Sequence, residues 1–275
     1  MQRANTLVLG GLLAALIALM GGAMALKGGL YLGKHEGDAL HLADMVLRMA
    51  EHGQWPHLDF MTPIGVLAMA PIAAFVALGA GLGHAVIYAQ ILVALFLLGP
   101  LVRAAGSRFD GIGALAYGGY AVVLCLALVH GEADTSVSVS MHYNRWAWAI
   151  AYVVIPLAVL DDRGDRRHRW LDGALIGLGM AALALIKVTY FAGFAPAVFL
   201  VLALRGQGRT LLAAAIAGLA VAGLVTALAG FDFWGAYMGD LRAVSGSEIR
   251  AEPGASLSGV IAAPAAIGGS LVLLA

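Results

Sequence analysis

The stretch that decides the fold is KHEGDALHLADMVLRMAEHGQWPHLDFMTP, residues 34–63. It holds the densest polar chemistry of the chain and separates two long apolar segments. Within it, apolar side chains recur at the spacing of one helix face: Leu42, Met45, Val46 and Met49. This pattern predicts an amphipathic helix over residues 39–52 that lies on a membrane surface with its carboxylates facing water.

Both ends of this helix carry recognisable signals. Asp38 stands where an N-cap belongs, because a short side-chain oxygen can accept from the unpaired N–H groups of the first turn. Gly53 stands where a C-terminal stop belongs, because glycine adopts the left-handed conformation at little cost. The histidines of the stretch lack the HExxH arrangement of a zinc site, and their acidic surroundings favour ions that prefer oxygen.

The composition is typical of an integral membrane protein. Hydrophobic residues make up 61% of the chain and charged residues 12%, whereas soluble domains are nearer about a half and a quarter. Several windows are long enough to cross a bilayer as helices, which predicts an all-α, polytopic helical bundle. Cys125 is the single cysteine, so an intrachain disulfide is excluded. Zero net charge and arginines confined to short loops argue against a nucleic-acid partner.

The placement of Lys and Arg predicts the orientation, because short cytoplasmic loops collect basic residues. The basic loops hold Arg103 with Arg108, residues 161–170, and Arg205 with Arg209. Acidic or His-rich segments, which we place on the exterior, are residues 27–61, 131–143 and 230–257. We therefore predict a multi-pass protein of the inner or plasma membrane with a cytoplasmic N-terminus.

The segment 62–80 is predicted to dip into the membrane without crossing it. A full crossing there would leave Arg103 and Arg108 outside, and two prolines with a GAGLG ending favour irregular backbone. We therefore predict one transmembrane domain, 1–275, in which residues 27–82 form an exterior loop with an interfacial and a re-entrant helix. The predicted spans are 6–26, 83–102, 111–130, 144–160, 172–187, 190–204, 211–229 and 258–275. The last span lacks a basic anchor, which favours a short or incomplete version of the domain.

Three short motifs follow the first span in order. They are Glu36-Gly37-Asp38, then Gly53-Gln54-Trp55-Pro56-His57-Leu58-Asp59-Phe60, then Thr62-Pro63-Ile64-Gly65. In this order and topology, roughly the first half of the chain resembles the glycosyltransferase C superfamily. That resemblance implies a polytopic enzyme that transfers a sugar from a polyprenyl-phosphate carrier on the outer face of the membrane, with Asp38 as the catalytic carboxylate. The chain is shorter than the usual members and has no recognisable large C-terminal exterior domain.

The chemistry of sugar transfer suggests further site residues. A base must take the acceptor proton, which is the role of Asp38, and a cation must stabilise the departing phosphate. Arg145 and Lys187 are the cations best placed at the membrane edge for a lipid phosphate, although an arginine there also commonly extends to lipid headgroups. Tyr143 and Trp55 are candidates to stack on a sugar ring or to belong to the aromatic belt of the membrane interface.

The acidic candidates each have a second interpretation. Asp59 either touches the substrate or fixes the loop before Pro63. Glu36 and Asp38 together are a candidate site for a divalent cation, Mg²⁺ or Mn²⁺, although adjacent exposed acids are usually only solvated.

Two functions of other classes compete with the transferase. A transporter or flippase for a lipid or small solute would use the exterior acids and Lys187 to gate a pathway, but it would often show inverted repeats, which we do not find. A non-catalytic membrane subunit is favoured if a chain of this length is too short to build both a donor and an acceptor site.

Overall fold

The computed structural model describes residues 2–28, 35–128, 139, 141–164, 168–245 and 257–262. The described residues are almost entirely helical, which confirms the predicted all-α helical bundle. The α-helices are α1 Gln2–Lys27, α2 Glu36–His52, α3 Ala70–Ala77, α4 Leu82–Arg108, α5 Gly111–Leu126, α6 His142–Val159, α7 Arg169–Ile186, α8 Val188–Leu204, α9 Gly208–Ala229, α10 Asp232–Ser245 and α11 Leu257–Ala262.

Helix α2 confirms the predicted amphipathic helix, with a start that differs by three residues. Its buried face consists of Ala39, Leu42, Met45 and Val46, while Asp44 faces outward. Gly53 ends the helix in the left-handed conformation at φ 64°, and its N–H bonds to the carbonyl of Arg48. The predicted N-cap is wrong, because His35 holds that position at φ 57° and Asp38 is the third residue of the helix.

The segment after the loop is too short to cross a membrane. A single 3₁₀ turn, Val66–Ala68, leads into α3, which has 8 residues. At about 1.5 Å per residue, α3 spans about 12 Å, against the about 30 Å thickness of a hydrocarbon core. A helix of this length fits the non-crossing helix that the sequence predicts after the first span.

Four helices in the described part of the chain are long and apolar enough to cross a membrane: Thr6–Lys27, Leu82–Arg108, Arg169–Ile186 and Gly208–Ala229. Two shorter apolar helices are Gly111–Leu126 and Val188–Leu204. Large apolar side chains on these helices point outward, among them Leu7 and Leu219. Such an apolar exterior is compatible with a membrane protein, where lipid takes the place of water.

Contacts between loops define two opposite ends of the bundle. At one end the loop after α2 meets the C-terminus of α7, where the N–H of Gly65 donates to the carbonyl of Ile186. At the other end the loop after α6 meets the C-terminus of α4, where the N–H of Arg163 donates to the carbonyl of Ser107. We call these the loop end and the arginine end. Where the structure describes them, the segments predicted to be cytoplasmic thus meet at the arginine end, and those predicted to be exterior meet at the loop end.

Arg103 and Arg108 are not the loop residues that we predicted. Both belong to the last turns of α4, and they form a buried ion cluster with Asp162 and Asp172. Arg103 pairs with both oxygens of Asp172, at 2.8 Å from Nε and 3.0 Å from Nη2. Asp172 also accepts from Arg108, at 2.8 Å. The cluster joins α4, the loop after α6 and α7 at the arginine end.

The predicted loop 230–257 is also wrong in part, because residues 232–245 form α10. This helix packs its Phe233 and Tyr237 against Val66, Leu185 and Val225 at the loop end. Other predicted features lie outside the described residues: most of the exterior segment 131–143, the end of 230–257, and residues 263–275 of the predicted last span.

Candidate functional site

The candidate site is a cavity of about 130 Å³ beside the first turns of α2. Asp38 is exposed and lines the cavity together with His41, Leu42 and Met45, which follow it on the same face of α2 at helical spacing. The remaining wall comes from α2, the loop before the 3₁₀ turn and the start of α6: His41, Leu42, Met45, Thr62, Pro63, Ile64, Met141 and Tyr143. A carboxylate therefore stands at a small cavity of mixed polarity.

Tyr143 and Lys187 connect this cavity to the start of α8. Tyr143 belongs to the cavity wall, and the Lys187 Nζ lies 5.4 Å from the centroid of its ring. Lys187 separates α7 from α8 with extended backbone, and its half-buried side chain reaches the ring of Tyr143 at this break between two helices. A lysine over an aromatic face is held by cation–π attraction. Two residues proposed from the sequence, Asp38 and Tyr143, therefore share the cavity wall, and a third, Lys187, contacts Tyr143.

Backbone strain marks the same region. In the described part of the chain, the non-glycine residues with positive φ are His35, His57 and Met141. His35 precedes α2, and Met141 lies in the cavity wall. Residues in this conformation cost about 1–3 kcal/mol and are kept where the surrounding structure holds them, often at functional sites.

Asp59 and Trp55 lie in the loop after α2 and are not part of the cavity wall. Asp59 closes the loop on itself, because its Oδ2 accepts from the Trp55 N–H at 2.6 Å while its own N–H donates to the Trp55 carbonyl. The ring of Trp55 meets that of Phe233 edge-on at 6.4 Å. This geometry matches the interpretation of Asp59 as the residue that fixes the loop.

Arg145 is half-buried in the first turn of α6, and the cavity wall does not include it. The neighbouring Trp146 points into the bundle, where its Nε1 bonds to the side chain of Gln90. Trp148 is partly exposed and meets Tyr190 and Phe194 edge-on. The structure therefore brings Tyr143, but not Arg145, to the side of Asp38.

Glu36 and Asp38 are both exposed in the first turn of α2. A third metal ligand does not accompany them, since the part of the chain that the structure describes contains no group of three or more His, Cys, Asp or Glu residues that could hold a metal ion. Two carboxylates with water as the remaining ligands are the kind of set that Mg²⁺ accepts. The divalent-cation site stays a prediction.

Sequence reasoning missed a polar link behind the cavity wall. The Nδ1 of His57 lies 2.8 Å from the Oδ2 of Asp240, and the same oxygen accepts from the N–H of Thr62 at 3.0 Å. The His57 side chain is fully buried and stacks on Tyr237, with ring centroids 4.3 Å apart. Burial lowers the pKa of His57 from its ordinary 6.5, although Asp240 acts in the opposite direction. The imidazole is therefore neutral at neutral pH and donates Nδ1–H to the carboxylate.

A larger apolar cavity of about 780 Å³ lies between α7, α8 and α9. Its wall includes Ala184 and Leu185 of α7, Phe191 of α8 and Trp234 of α10, so it reaches the loop end of the bundle next to Lys187. Apart from the indole of Trp234, its wall is made of aliphatic residues, glycines, phenylalanines and Met180. We call it the apolar groove. It is wide enough for a hydrocarbon chain and contributes almost no polar contact.

The chain was also compared with known proteins. Family models, curated proteins and solved structures give no match to it. The resemblance to the glycosyltransferase C superfamily therefore stays a prediction from the three motifs.

Proposed function

We propose that this chain is a glycosyltransferase that moves a sugar from a polyprenyl-phosphate carrier to an acceptor on the outer face of the membrane, with Asp38 as general base. The observation that carries the proposal is the cavity at Asp38, whose wall continues through Tyr143 to Lys187. Asp38 and Tyr143 line the cavity, and Lys187 contacts the Tyr143 ring, which supports a site with both a carboxylate and a nearby cation. In this proposal, membrane lipids surround the helical bundle.

The proposed reaction uses both groups. The acceptor hydroxyl attacks the anomeric carbon of the donor, the bond from that carbon to the phosphate oxygen breaks, and the phosphate keeps the electron pair. The proton of the hydroxyl passes to the Asp38 carboxylate, which is exposed and therefore able to receive it. Lys187 stabilises the charge that develops on the departing phosphate. Tyr143 offers a face for the sugar ring.

The apolar groove supports a lipid-linked donor. It lies beside the α7–α8 break from which Lys187 projects, so a carrier chain in the groove would present its phosphate near that ammonium group. The groove has an apolar wall, as a polyprenyl chain requires, and the cavity at Asp38 supplies polar groups, as a sugar requires.

The groove is also the observation that favours the second candidate, a flippase for a lipid. Such a protein would move the lipid headgroup past the cavity without breaking a covalent bond. Lipid and glycan analysis of cells that lack the protein separates the two functions. A transferase predicts that the sugar-charged carrier accumulates on the outer leaflet while one glycan loses a sugar. A flippase predicts that the lipid accumulates on the inner leaflet.

The predicted orientation, with a cytoplasmic N-terminus and the loop end outside, belongs to this proposal. Arginines still concentrate at the arginine end, because Arg163, Arg205 and Arg209 accompany the buried pair in α4. Cysteine-accessibility labelling from the two sides tests the orientation. A cysteine placed at position 40, which is exposed on α2, should react with an impermeant reagent only from the outside.

A further inference from the structure

We propose that Asp240, on α10, is a positioning residue that holds the wall of the Asp38 cavity in place through Thr62 and His57. The inference rests on the proposed function for its catalytic consequence, while its structural part can be measured separately. Asp240 does not line the cavity itself. It acts from behind the wall segment Thr62–Ile64, which we call the wall loop.

A single carboxylate oxygen ties down two points of the chain. Asp240 Oδ2 accepts from the N–H of Thr62 at 3.0 Å and contacts the Nδ1 of His57 at 2.8 Å. The two donors are five positions apart: His57 lies within the turn that Asp59 closes onto Trp55, and Thr62 lies after it. Because both bonds end on one atom, a movement of α10 or of the turn would disturb both together.

The position of Asp240 is itself well defined. Tyr237, one turn earlier on α10, stacks on His57 and donates its hydroxyl to the carbonyl of Ala184 at 2.6 Å. Phe233, a further turn back, is fully buried and meets His57 edge-on at 5.6 Å. These contacts anchor α10 to α7 and leave the Asp240 carboxylate 14% exposed. A hydrogen bond to such a shielded charged acceptor is stronger than one at an open surface.

The wall loop is fixed at its other end by a contact that admits little movement. The N–H of Gly65 donates to the carbonyl of Ile186 at 2.9 Å, and a Cβ on Gly65 would lie 2.1 Å from the carbonyl oxygen of Leu185. Inside the loop, the N–H of Ile64 bonds to Thr62 Oγ1 at 3.3 Å. Asp240 at Thr62 and α7 at Gly65 are therefore the two supports between which the wall loop faces Asp38.

His57 explains why an acceptor is needed at this position. Its Nδ1–H needs an acceptor in a buried place, and its Nε2 is buried without a hydrogen-bond partner among the described residues. The titratable or charged groups that face the ring are Asp240 and the hydroxyl-bearing Tyr237, both on α10. Loss of the carboxylate would thus leave two donors without a partner, the imidazole Nδ1–H and the Thr62 N–H.

Three variants test the inference in the full-length protein in membranes. Asp240→Ala removes the acceptor, Asp240→Asn keeps an oxygen that can accept from both donors, and Asp232→Asn is the matched control, because Asp232 is an exposed carboxylate on the same helix. Hydrogen exchange at the Thr62 amide directly measures whether its hydrogen bond to Asp240 is kept. The rate of thiol labelling of an Asp38→Cys reporter, combined with each Asp240 variant, reports the shape of the cavity. The native Cys125 is buried, so we expect it not to react with the labelling reagent.

Asp240→Ala should speed exchange at Thr62 by about ten- to a hundredfold and change the labelling rate of the reporter. Asp240→Asn should stay within about threefold of wild type in both. In a transfer assay with synthetic polyprenyl-phosphate hexoses and membrane lipid extract, kcat should fall by about ten- to a hundredfold in Asp240→Ala with little change in KM, and Asp240→Asn should restore it.

Unchanged exchange at Thr62 in Asp240→Ala would overturn the inference whatever the activity. It would also be overturned if Asp240→Asn behaved like Asp240→Ala, because the charge rather than the position of the acceptor would then matter. If the wild-type protein transfers no sugar from any donor, the proposed function fails, while the exchange and labelling results still decide whether Asp240 supports the wall loop.

Discussion

Arg103 and Asp172 form a two-point ion pair across α4 and α7, with Nε–Oδ1 at 2.8 Å and Nη2–Oδ2 at 3.0 Å. Both side chains are largely buried, and Asp172 also forms an ion pair with Arg108. A parallel pair of this kind fixes direction as well as distance, since the guanidinium plane and the carboxylate plane must match. It is the main polar connection between these two helices at the arginine end.

The first prediction concerns that pair. Asp172→Ala leaves two arginines short of an acceptor and should destabilise the protein by about 3–5 kcal/mol, because the charges stay buried without compensation. Thermal unfolding in detergent measures the loss. Asp110→Ala is the matched control, because its ion pair with Arg163 is at least half exposed on both sides and should change stability by about 0–1 kcal/mol. Equal losses in the two variants would contradict a structural role for the cluster.

The second prediction concerns the contact between α7 and α9. A Cβ at Gly177 would lie 2.1 Å from the carbonyl oxygen of Ala214, and one at Gly173 would lie 2.4 Å from that of Thr210. The two glycines are four residues apart, the spacing that lets membrane helices approach closely. Gly177→Ala should therefore separate the helices and lower the unfolding temperature. Gly223→Ala on α9, which meets nothing within 4 Å, should be neutral or stabilising.

The third prediction is a pH dependence from His57. Its folded-state pKa lies below the ordinary 6.5, so the unfolded chain binds more protons at acidic pH. The stability from the neutral imidazole is fully present above pH 6.5 and is lost as the pH falls from 6.5 through the lowered folded pKa. Thermal unfolding between pH 8 and pH 5 should show this loss in wild type and less of it in His57→Gln. The same slope in both proteins would exclude His57 as its source, and exposed His52→Gln is the control.

The fourth prediction concerns the cation beside the cavity. Lys187→Gln removes the charge that lies over Tyr143 and should lower kcat for sugar transfer by about a hundredfold, since the departing phosphate loses its nearest proposed cation. Lys187→Arg should retain most of the activity. Lys27→Gln, at the exposed end of α1, should match wild type. Full activity in Lys187→Gln would show that Lys187 does not stabilise the departing phosphate.

The helical architecture was predictable because long apolar windows and a periodic polar stretch are local signals. The C-terminal limit of α2 follows from Gly53, and the start of α3 is marked by Pro71 in its first turn. The ion cluster was not predictable in the same way. Arg103 and Asp172 are 69 positions apart, and the arginines look like ordinary loop residues until α4 is seen to continue to residue 108.

The residues of the candidate site likewise differ in whether a local sequence signal or only the folded structure reveals them. Asp38 was proposed from its place after the first span, Lys187 as a cation at the membrane edge, and Tyr143 as an aromatic residue in the exterior segment. The contact between His57 and Asp240 joins residues 183 positions apart, and α10 carried no strong signal because charged residues and glycines interrupt its apolar face. Tertiary packing, rather than local pattern, brings such pairs together.

The most direct test of the account is the rate of sugar transfer by Asp38→Asn in purified, membrane-reconstituted protein. The amide keeps the size of the carboxyl group but cannot take the acceptor proton. We predict a loss of kcat of about a hundredfold or more with an unchanged unfolding temperature, because general-base catalysis contributes about 10²–10⁴-fold. Transfer at the wild-type rate by folded Asp38→Asn would contradict the assignment of Asp38 as the base.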